Sequence, residues 1–408
     1  MKINQNDFQA ACQDHPKYKA LAYVIEQSIH SGELKDQEKL PAQRLLADVL
    51  HVTHGTITRA YALLEDMGLV NAKLGAGTFV TSALSASHNN GPNTTEDYDF
   101  ASSMQPMLGQ QNILAQALNE LSQDLAATTH VMTYAPQGNE KHKQVMSTWL
   151  KNKGINNEAN DIIFTQGAQQ GIYTCLHILT NAGDYVLHES LTYPGFFRAA
   201  EANHVTPLAV PLTSDGLDLK ALEDYCQQFA PKLLYITPNL QNPTNVQYSS
   251  AQLSQILELS RIYKFFIIED DVNYCLPENW TSPLRLQAPE QVFYLSSLSK
   301  YIAGGLRIAC ALVPKSWQQA FHAHIHSQCW MVSGMNMELA SRFLLSERFK
   351  HNQACLADEI RYRQKAFKTL LDKYSLKSRK GGLNVWVELP DHINMHQFNA
   401  TLSANKIK

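Results

Sequence analysis

Apolar and polar positions alternate with two different periods along this chain. Residues 18 to 30, "YKALAYVIEQSIH", carry apolar side chains at helical spacing, and "SGEL" breaks the pattern. "LPAQRLLADVL" opens a second helix, with Pro41 suited to its first turn. "VTHGTITRAYALLEDMG" gives a third, with Thr53 as N-cap, Ile57, Tyr61 and Leu64 as the apolar face, and Gly68 as the stop. "LVNAKLGAGTFVTS" then reads as two short strands around a Gly75–Gly77 turn. Further on, "DIIFT", "DYVLH", "KLLYIT", "KFFIIED" and "QVFYLS" are short apolar runs, with helical stretches between most of them. Strands alternating with helices predict an α/β module built on a mostly parallel sheet.

Residues 82 to 97, "SALSASHNNGPNTTED", hold almost no large apolar side chain and enclose Gly91 and Pro92. The segment reads as a linker. It divides a module at 1–81 from a larger one at 98–408. Three helices followed by a hairpin describe a winged helix-turn-helix, so the expected fold is multidomain: an α+β winged helix, then an α/β domain.

Composition narrows the class. With 408 residues, 44% hydrophobic and 17% charged, the chain has enough apolar content for two or three packed domains and too little charge for general disorder. No apolar run approaches the roughly 20 residues of a membrane span. The N-terminal "MKINQNDFQAACQDHPKYK" has no signal-peptide core. These features give the expectation of a soluble cytoplasmic protein with no membrane partner. Seven scattered cysteines without a CxxC pair point to thiols rather than a disulfide framework or a metal site. The net charge of −3 argues neither for nor against nucleic acid.

Over nearly its whole length, "SGELKDQEKLPAQRLLADVLHVTHGTITRAYALLEDMGLVNAKLGAGTFV" resembles the GntR family DNA-binding domain. "LPAQRLLA", "TITRAYALLEDMGLV" and "GAGTFV" occur in the family's order and spacing. The resemblance implies a third helix in the major groove and a wing at the adjacent minor groove. Arg44, Thr53, His54, Thr56, Thr58, Lys73 and Gly75 fall at or beside the matching contact positions. His54 and Thr58 stand where the family often carries base-reading arginines, which implies a different operator sequence.

Residues from about 98 onward resemble the fold-type-I pyridoxal 5′-phosphate (PLP) aminotransferases. "IIFTQGAQQGIYTCL" is a strand, a glycine turn and a helix start, whose free N–H groups suit an anion. In the family the cofactor phosphate sits here, at Ala168 and Gln169. "ESLTYPGF" supplies Tyr193 to stack on the pyridine ring, and "ITPNLQNPTN" supplies Asn242 to its hydroxyl. Asn245 replaces a usual glycine there, a mild change because asparagine tolerates left-handed backbone. "FFIIEDDVNYC" supplies Asp270 for the pyridine nitrogen, with Asp271 as a cap or a satisfied loop acid. The family's ring-bonding tyrosine position holds Asn273, so either Tyr274 swings in or that contact is lost. "SSLSKYIAGGLR" supplies Lys300 for the Schiff base and Ser297, Ser299 and Arg307 for the phosphate. Tyr134 matches a tyrosine that reaches the phosphate of the neighbouring subunit, which implies a homodimer.

"GGLNVWVELPDHINMHQFNATLSANKIK" resembles the start of the family's small C-terminal domain. Nothing before residue 408 matches the arginine that grips a substrate carboxylate in relatives, and the chain is either naturally short or cut. A GntR winged helix followed by an aminotransferase-like domain describes the MocR regulators. That resemblance implies a DNA-binding regulator that senses an amine, an amino acid or PLP through a PLP–Lys300 aldimine, and it favours regulation over turnover. The alternatives are a PLP-dependent aminotransferase with an accessory DNA-binding module, and a regulator whose scaffold no longer holds PLP.

Overall fold

A computed structural model of the chain describes residues 4–13, 15–30, 33–35, 37–67, 69–73, 77–80, 98–100 and 102–407. Gly68, Gly75 and the 82–97 linker lie outside the described residues, as does the side chain of Lys73. The chain forms two compact units. One comprises Met1–Thr95, Pro106–Gln116 and Ser346–Leu356, the other Glu96–Gln105, Ala117–Leu345 and Ala357–Lys408.

The first unit opens with a helix that the apolar spacing does not announce, α1 (Gln5–Ala11), capped by the Asn4 side chain on Asn6 N–H. It is short and buries a single side chain, Phe8, so no apolar period is legible in it. Helices α2 (Lys17–His30), α3 (Gln43–Leu50) and α4 (His54–Asp66) follow at the expected places. Strands β1 (Val70–Lys73) and β2 (Gly77–Val80) pair antiparallel, Val70 opposite Val80 and Lys73 opposite Gly77. Leu21, Ile25, Leu40, Leu46, Ile57, Leu64 and Val80 meet in one core. Pro41 differs from its expected role. The backbone is still extended at Ala42, the N-cap of α3, so Pro41 precedes the first turn. Its carbonyl instead accepts the Tyr61 hydroxyl at 2.8 Å, tying α4 to the entry of α3.

The second unit is built on seven strands: β3 (Ile162–Thr165), β4 (Tyr185–Glu189), β5 (Thr206–Val210), β8 (Leu233–Ile236), β9 (Phe266–Asp271), β10 (Val292–Ser297) and β11 (Ala309–Leu312). Their spatial order is β3-β11-β10-β9-β8-β4-β5. Pairing is parallel except along β11, which runs antiparallel to both neighbours. Two small hairpins stand apart, β6 (Leu212–Thr213) with β7 (Gly216–Leu217), and β12 (Ser378–Gly381) with β13 (Asn384–Val387).

Both faces of the sheet are covered, as a parallel sheet requires. Ile163, Tyr235, Ile268 and Leu295 belong to one apolar core, packed with Ile172 and Phe196. Leu187, Leu234, Ile236, Ile267 and Val292 belong to the other. The two-residue period along each strand decides which side chain joins which core. It also decides where the polar residues at the strand ends point.

Candidate cofactor site and DNA-binding face

β9 ends in three consecutive acids, Glu269, Asp270 and Asp271, all buried. Tyr235 on β8 registers with Ile268, two residues before Asp270, so Tyr235 and Asp270 leave the same face. The Tyr235 hydroxyl donates to Asp270 Oδ2 at 2.6 Å. Asp270 Oδ1 is buried with no hydrogen-bond partner. Burial pushes the Asp270 carboxyl up to about 7, and the neighbouring Asp271 and Glu189 add to the rise, against the Tyr235 bond.

Asp271 lies on the opposite face and is fully provided for. Asn239 Nδ2 donates to its Oδ1 at 3.0 Å, and the Tyr294 hydroxyl donates to Oδ2. Lys153 Nζ stands 3.6 Å from Oδ2 and lies over the rings of Trp149 and Tyr301, 4.9 and 4.6 Å from their centroids. Two adjacent carboxylates therefore differ: Asp271 has a resident cation, and Asp270 has an open oxygen.

Sheet pairing gathers the other predicted residues at the same strand ends. Ala309 on β11 pairs with both Ser297 on β10 and Thr165 on β3. This brings the Gly167 turn beside the Ser297–Arg307 loop. Gly167, at φ +75, caps the Ala168–Leu179 helix. A Cβ there would fall 2.1 Å from Arg307 Nη2, so only glycine lets the guanidinium lie against this helix start. Arg307 is exposed and donates to the Gln166 carbonyl at 3.4 Å and to the Gly304 carbonyl at 3.5 Å. Ser297 Oγ bonds Ser299 Oγ at 3.0 Å and receives the Ser299 N–H. Gln169 Nε2 donates to the Gly195 carbonyl at 2.7 Å, and the Tyr193 ring lies directly against Gly195. Burial and the Asp270 charge both raise the Tyr193 phenol above its ordinary range.

Lys300 is partly buried, and burial holds its amine below the usual lysine range. Its Nζ donates to the Ser103 carbonyl at 2.5 Å. The Asn242 loop is held from beneath by Glu189, a fully buried carboxylate on β4. Glu189 accepts Thr237 N–H at 3.0 Å, the Thr237 hydroxyl at 2.9 Å, Gln241 Nε2 at 3.0 Å and the Tyr248 hydroxyl at 2.8 Å. Asn245 sits at φ +57, the left-handed conformation expected at a glycine position. Asn273 turns to the loop and donates to the Leu240 carbonyl at 2.8 Å. Tyr274 is buried with its ring 5.2 Å from that of Tyr301.

In the first unit, Thr53 caps α4, its Oγ1 accepting the Thr56 N–H at 3.3 Å and meeting Thr56 Oγ1 at 2.9 Å. Arg44, Thr53 and His54 are exposed, and Thr56 is partly so. The Thr58 hydroxyl donates to Gln43 Oε1 at 2.8 Å, joining the starts of α3 and α4, and also lies 3.1 Å from the His54 carbonyl.

Residues 17–80 match the model of the bacterial regulatory proteins of the gntR family, and residues 98–406 match that of aminotransferase class I and II. The chain joins a GntR domain to a class I and II aminotransferase domain. This is the MocR architecture. An HTH-type transcriptional regulator of Bacillus subtilis (strain 168), YdeF, is 28% identical over 94% of this chain and 84% of its own length. Another of Escherichia coli (strain K12), YdcR, is 25% identical over 93% and 87%. The second unit's fold is that of Pyrococcus horikoshii kynurenine aminotransferase, whose structure is a complex with PMP (TM-score 0.67, 22% identity, 77% of this chain and 81% of that one). It is likewise that of the Thermus thermophilus α-aminoadipate aminotransferase LysN, complexed with N-(5′-phosphopyridoxyl)-L-leucine (TM-score 0.69, 22% identity, 84% and 86%).

Within this MocR-type chain, Ala168, Gln169, Tyr193, Asn242, Asp270, Ser297, Ser299, Lys300 and Arg307 all lie at or just beyond the carboxyl ends of β3, β4, β8, β9 and β10. Tyr134 is 83% exposed and leans on Trp330, ring centroids 6.2 Å apart. Sequence reading does not single out Tyr235, Glu189 or Lys153. Tyr235 lies in a strand signal and Glu189 opens the Tyr193 stretch, but neither side chain, nor that of Lys153, carries a local signature of its own, and only the fold brings them to the site. No helix among the described residues is long and apolar enough to cross a membrane.

Proposed function

We propose that this protein is a DNA-binding transcriptional regulator whose aminotransferase-like unit holds PLP at Lys300 and responds to an amine, an amino acid or PLP itself. The observation that carries the reading is Asp270 Oδ1, a buried carboxylate oxygen without a partner beside a neighbour, Asp271, that has its own cation. A buried carboxylate needs a donor or a positive charge. A protonated pyridine nitrogen provides both. The Gly167 turn with Arg307 against it fits a phosphate, because backbone N–H groups and a guanidinium converge there.

In this reading Asp270 holds the ring nitrogen and Asn242 the ring hydroxyl, and Tyr274 reaches that hydroxyl only by leaving its packing on Tyr301. Tyr193 covers the ring face. Ala168, Gln169, Ser297, Ser299 and Arg307 take the phosphate, joined by Tyr134 of a second copy in a homodimer. PLP supplies an aldehyde for an amine to condense with and a ring that withdraws electrons. Lys300 is suited to meet it because burial favours the neutral, nucleophilic amine. Arg44, Thr53, His54, Thr56, Thr58, Lys73 and Gly75 form the DNA-facing set. An effector shifts the DNA-binding equilibrium only by its differential affinity for two states of the protein.

The test is affinity for DNA from upstream of the protein's own gene, measured with and without PLP, in wild type and Lys300→Ala. PLP should change the wild-type affinity and leave that of Lys300→Ala much less affected. Equal affinities in all four measurements would contradict the reading, and sustained multiple turnovers with an amino acid and a keto acid would replace it with an aminotransferase.

A further inference from the structure

The polypeptide that enters the second unit after the linker passes directly over Lys300. Tyr98 N–H donates to the Lys406 carbonyl at 2.7 Å, and Tyr98 bridges Ile407. Asp99 then closes a turn on Ser102, accepting its N–H at 3.0 Å and its hydroxyl at 2.6 Å. Next comes Ser103, whose carbonyl accepts from Lys300 Nζ and whose hydroxyl donates to Asn384 Oδ1 at 2.7 Å. Gln105 is buried and donates to the Ile302 carbonyl, two residues beyond Lys300. The apolar side chains contribute little to this hold, since Phe100 and Met104 are 70% and 67% exposed. The segment is therefore fastened by a few polar contacts, and one of them is the amine of Lys300. A segment with few buried apolar contacts opens at low free-energy cost.

We infer that residues 98–100 and 102–105 form a strap that reads the chemical state of Lys300. The inference rests on the proposed cofactor reading and adds the means by which the site would report. As a free amine, Lys300 has hydrogens to give to the Ser103 carbonyl. When its nitrogen condenses with an aldehyde, a C=N bond replaces the C=O bond, and the oxygen leaves as water with both amine hydrogens. The nitrogen is then drawn to the aldehyde carbon and the Ser103 carbonyl loses its donor. An incoming amine that takes over the C=N bond returns two hydrogens to the Lys300 nitrogen, and the strap is fastened again. Covalent occupancy loosens the strap, and an amine effector tightens it.

Hydrogen exchange of the 98–105 peptide in the full-length protein tests this, with a visible spectrum recorded on the same samples. Three proteins are compared with and without PLP: wild type, Lys300→Met and Lys300→Arg. Wild type should show an aldehyde–lysine band on adding PLP, with strap exchange faster by up to about tenfold, the scale of one hydrogen bond. Lys300→Met, with no donor, should exchange fast from the start. Lys300→Arg keeps a donor and cannot condense, so its strap should stay protected in both conditions. A wild-type band with unchanged strap exchange overturns the strap and leaves the cofactor reading standing. Slow exchange in Lys300→Met overturns the strap as well. Absence of the band overturns the cofactor reading, and the strap with it.

Discussion

Tyr235 bonds one oxygen of Asp270 at 2.6 Å and leaves the other buried and open. That asymmetry has a consequence for stability against pH. The Asp270 carboxyl stands at about 7 in the fold, against 3.8 when free. A folded value raised above the unfolded one means that the contribution to stability is full below pH 3.8 and is lost as pH rises to about 7. In cofactor-free protein, Asp270→Asn should therefore gain stability over wild type as pH climbs through this window, by at most about 4 kcal/mol at 1.36 kcal/mol per unit. Denaturant midpoints from pH 4 to 8 measure it. A difference that stays flat across the window contradicts the picture. The same substitution should weaken PLP retention, because the ring nitrogen loses its carboxylate.

Lys153 and Asp271 form a buried pair whose halves cannot be removed singly without cost. Lys153→Met should destabilise the protein by about 3–5 kcal/mol, because it strands a buried carboxylate. Adding Asp271→Asn should recover a large part of that loss. A double-mutant cycle in denaturant checks it, and strictly additive losses would show that the two groups are not coupled.

Glu189 works through the loop above it. All four of its partners are donors, so Glu189→Gln turns an amide N–H₂ toward them and should cost about 1–3 kcal/mol. PLP affinity should fall in the same variant, because the Thr237–Val246 loop that carries Asn242 is no longer held. Unchanged affinity with lowered stability would limit Glu189 to a packing role.

On the DNA side, two substitutions should separate fold from contact. Thr53→Ala removes the cap of α4 and should cost about 1 kcal/mol of stability. Arg44→Ala should leave the melting temperature unchanged, weaken binding and reduce the salt slope by about one. A variant of Arg44 with wild-type affinity would move the docking face elsewhere.

The two-domain order is legible in the sequence, and the proposed cofactor residues stand out there because each sits in a local signature: a strand, a turn and a side chain within ten residues. Asn245 is a good case, since its left-handed backbone follows from the position alone. What local reading cannot reach is pairing across distance. β11 is only "ACAL" and runs against the rest of the sheet, yet it is the strand that joins the Gly167 turn to the Ser297 loop. Lys153 meets Asp271, and Ser103 meets Lys300, across more than a hundred residues each. Thr58 is a pairing of the same kind: its hydroxyl bonds Gln43 and joins the starts of α3 and α4.

If Lys300 is the covalent anchor for PLP, the visible absorbance spectrum reads the bond itself. PLP added to wild type should produce a Schiff-base band, and the same addition to Lys300→Ala should give only the spectrum of the free or non-covalently held aldehyde. Retention of PLP by the variant is compatible with the account, because Asp270, Arg307 and the Ala168 helix start remain to hold it. A wild-type spectrum without the band, or a band that survives Lys300→Ala, would contradict it.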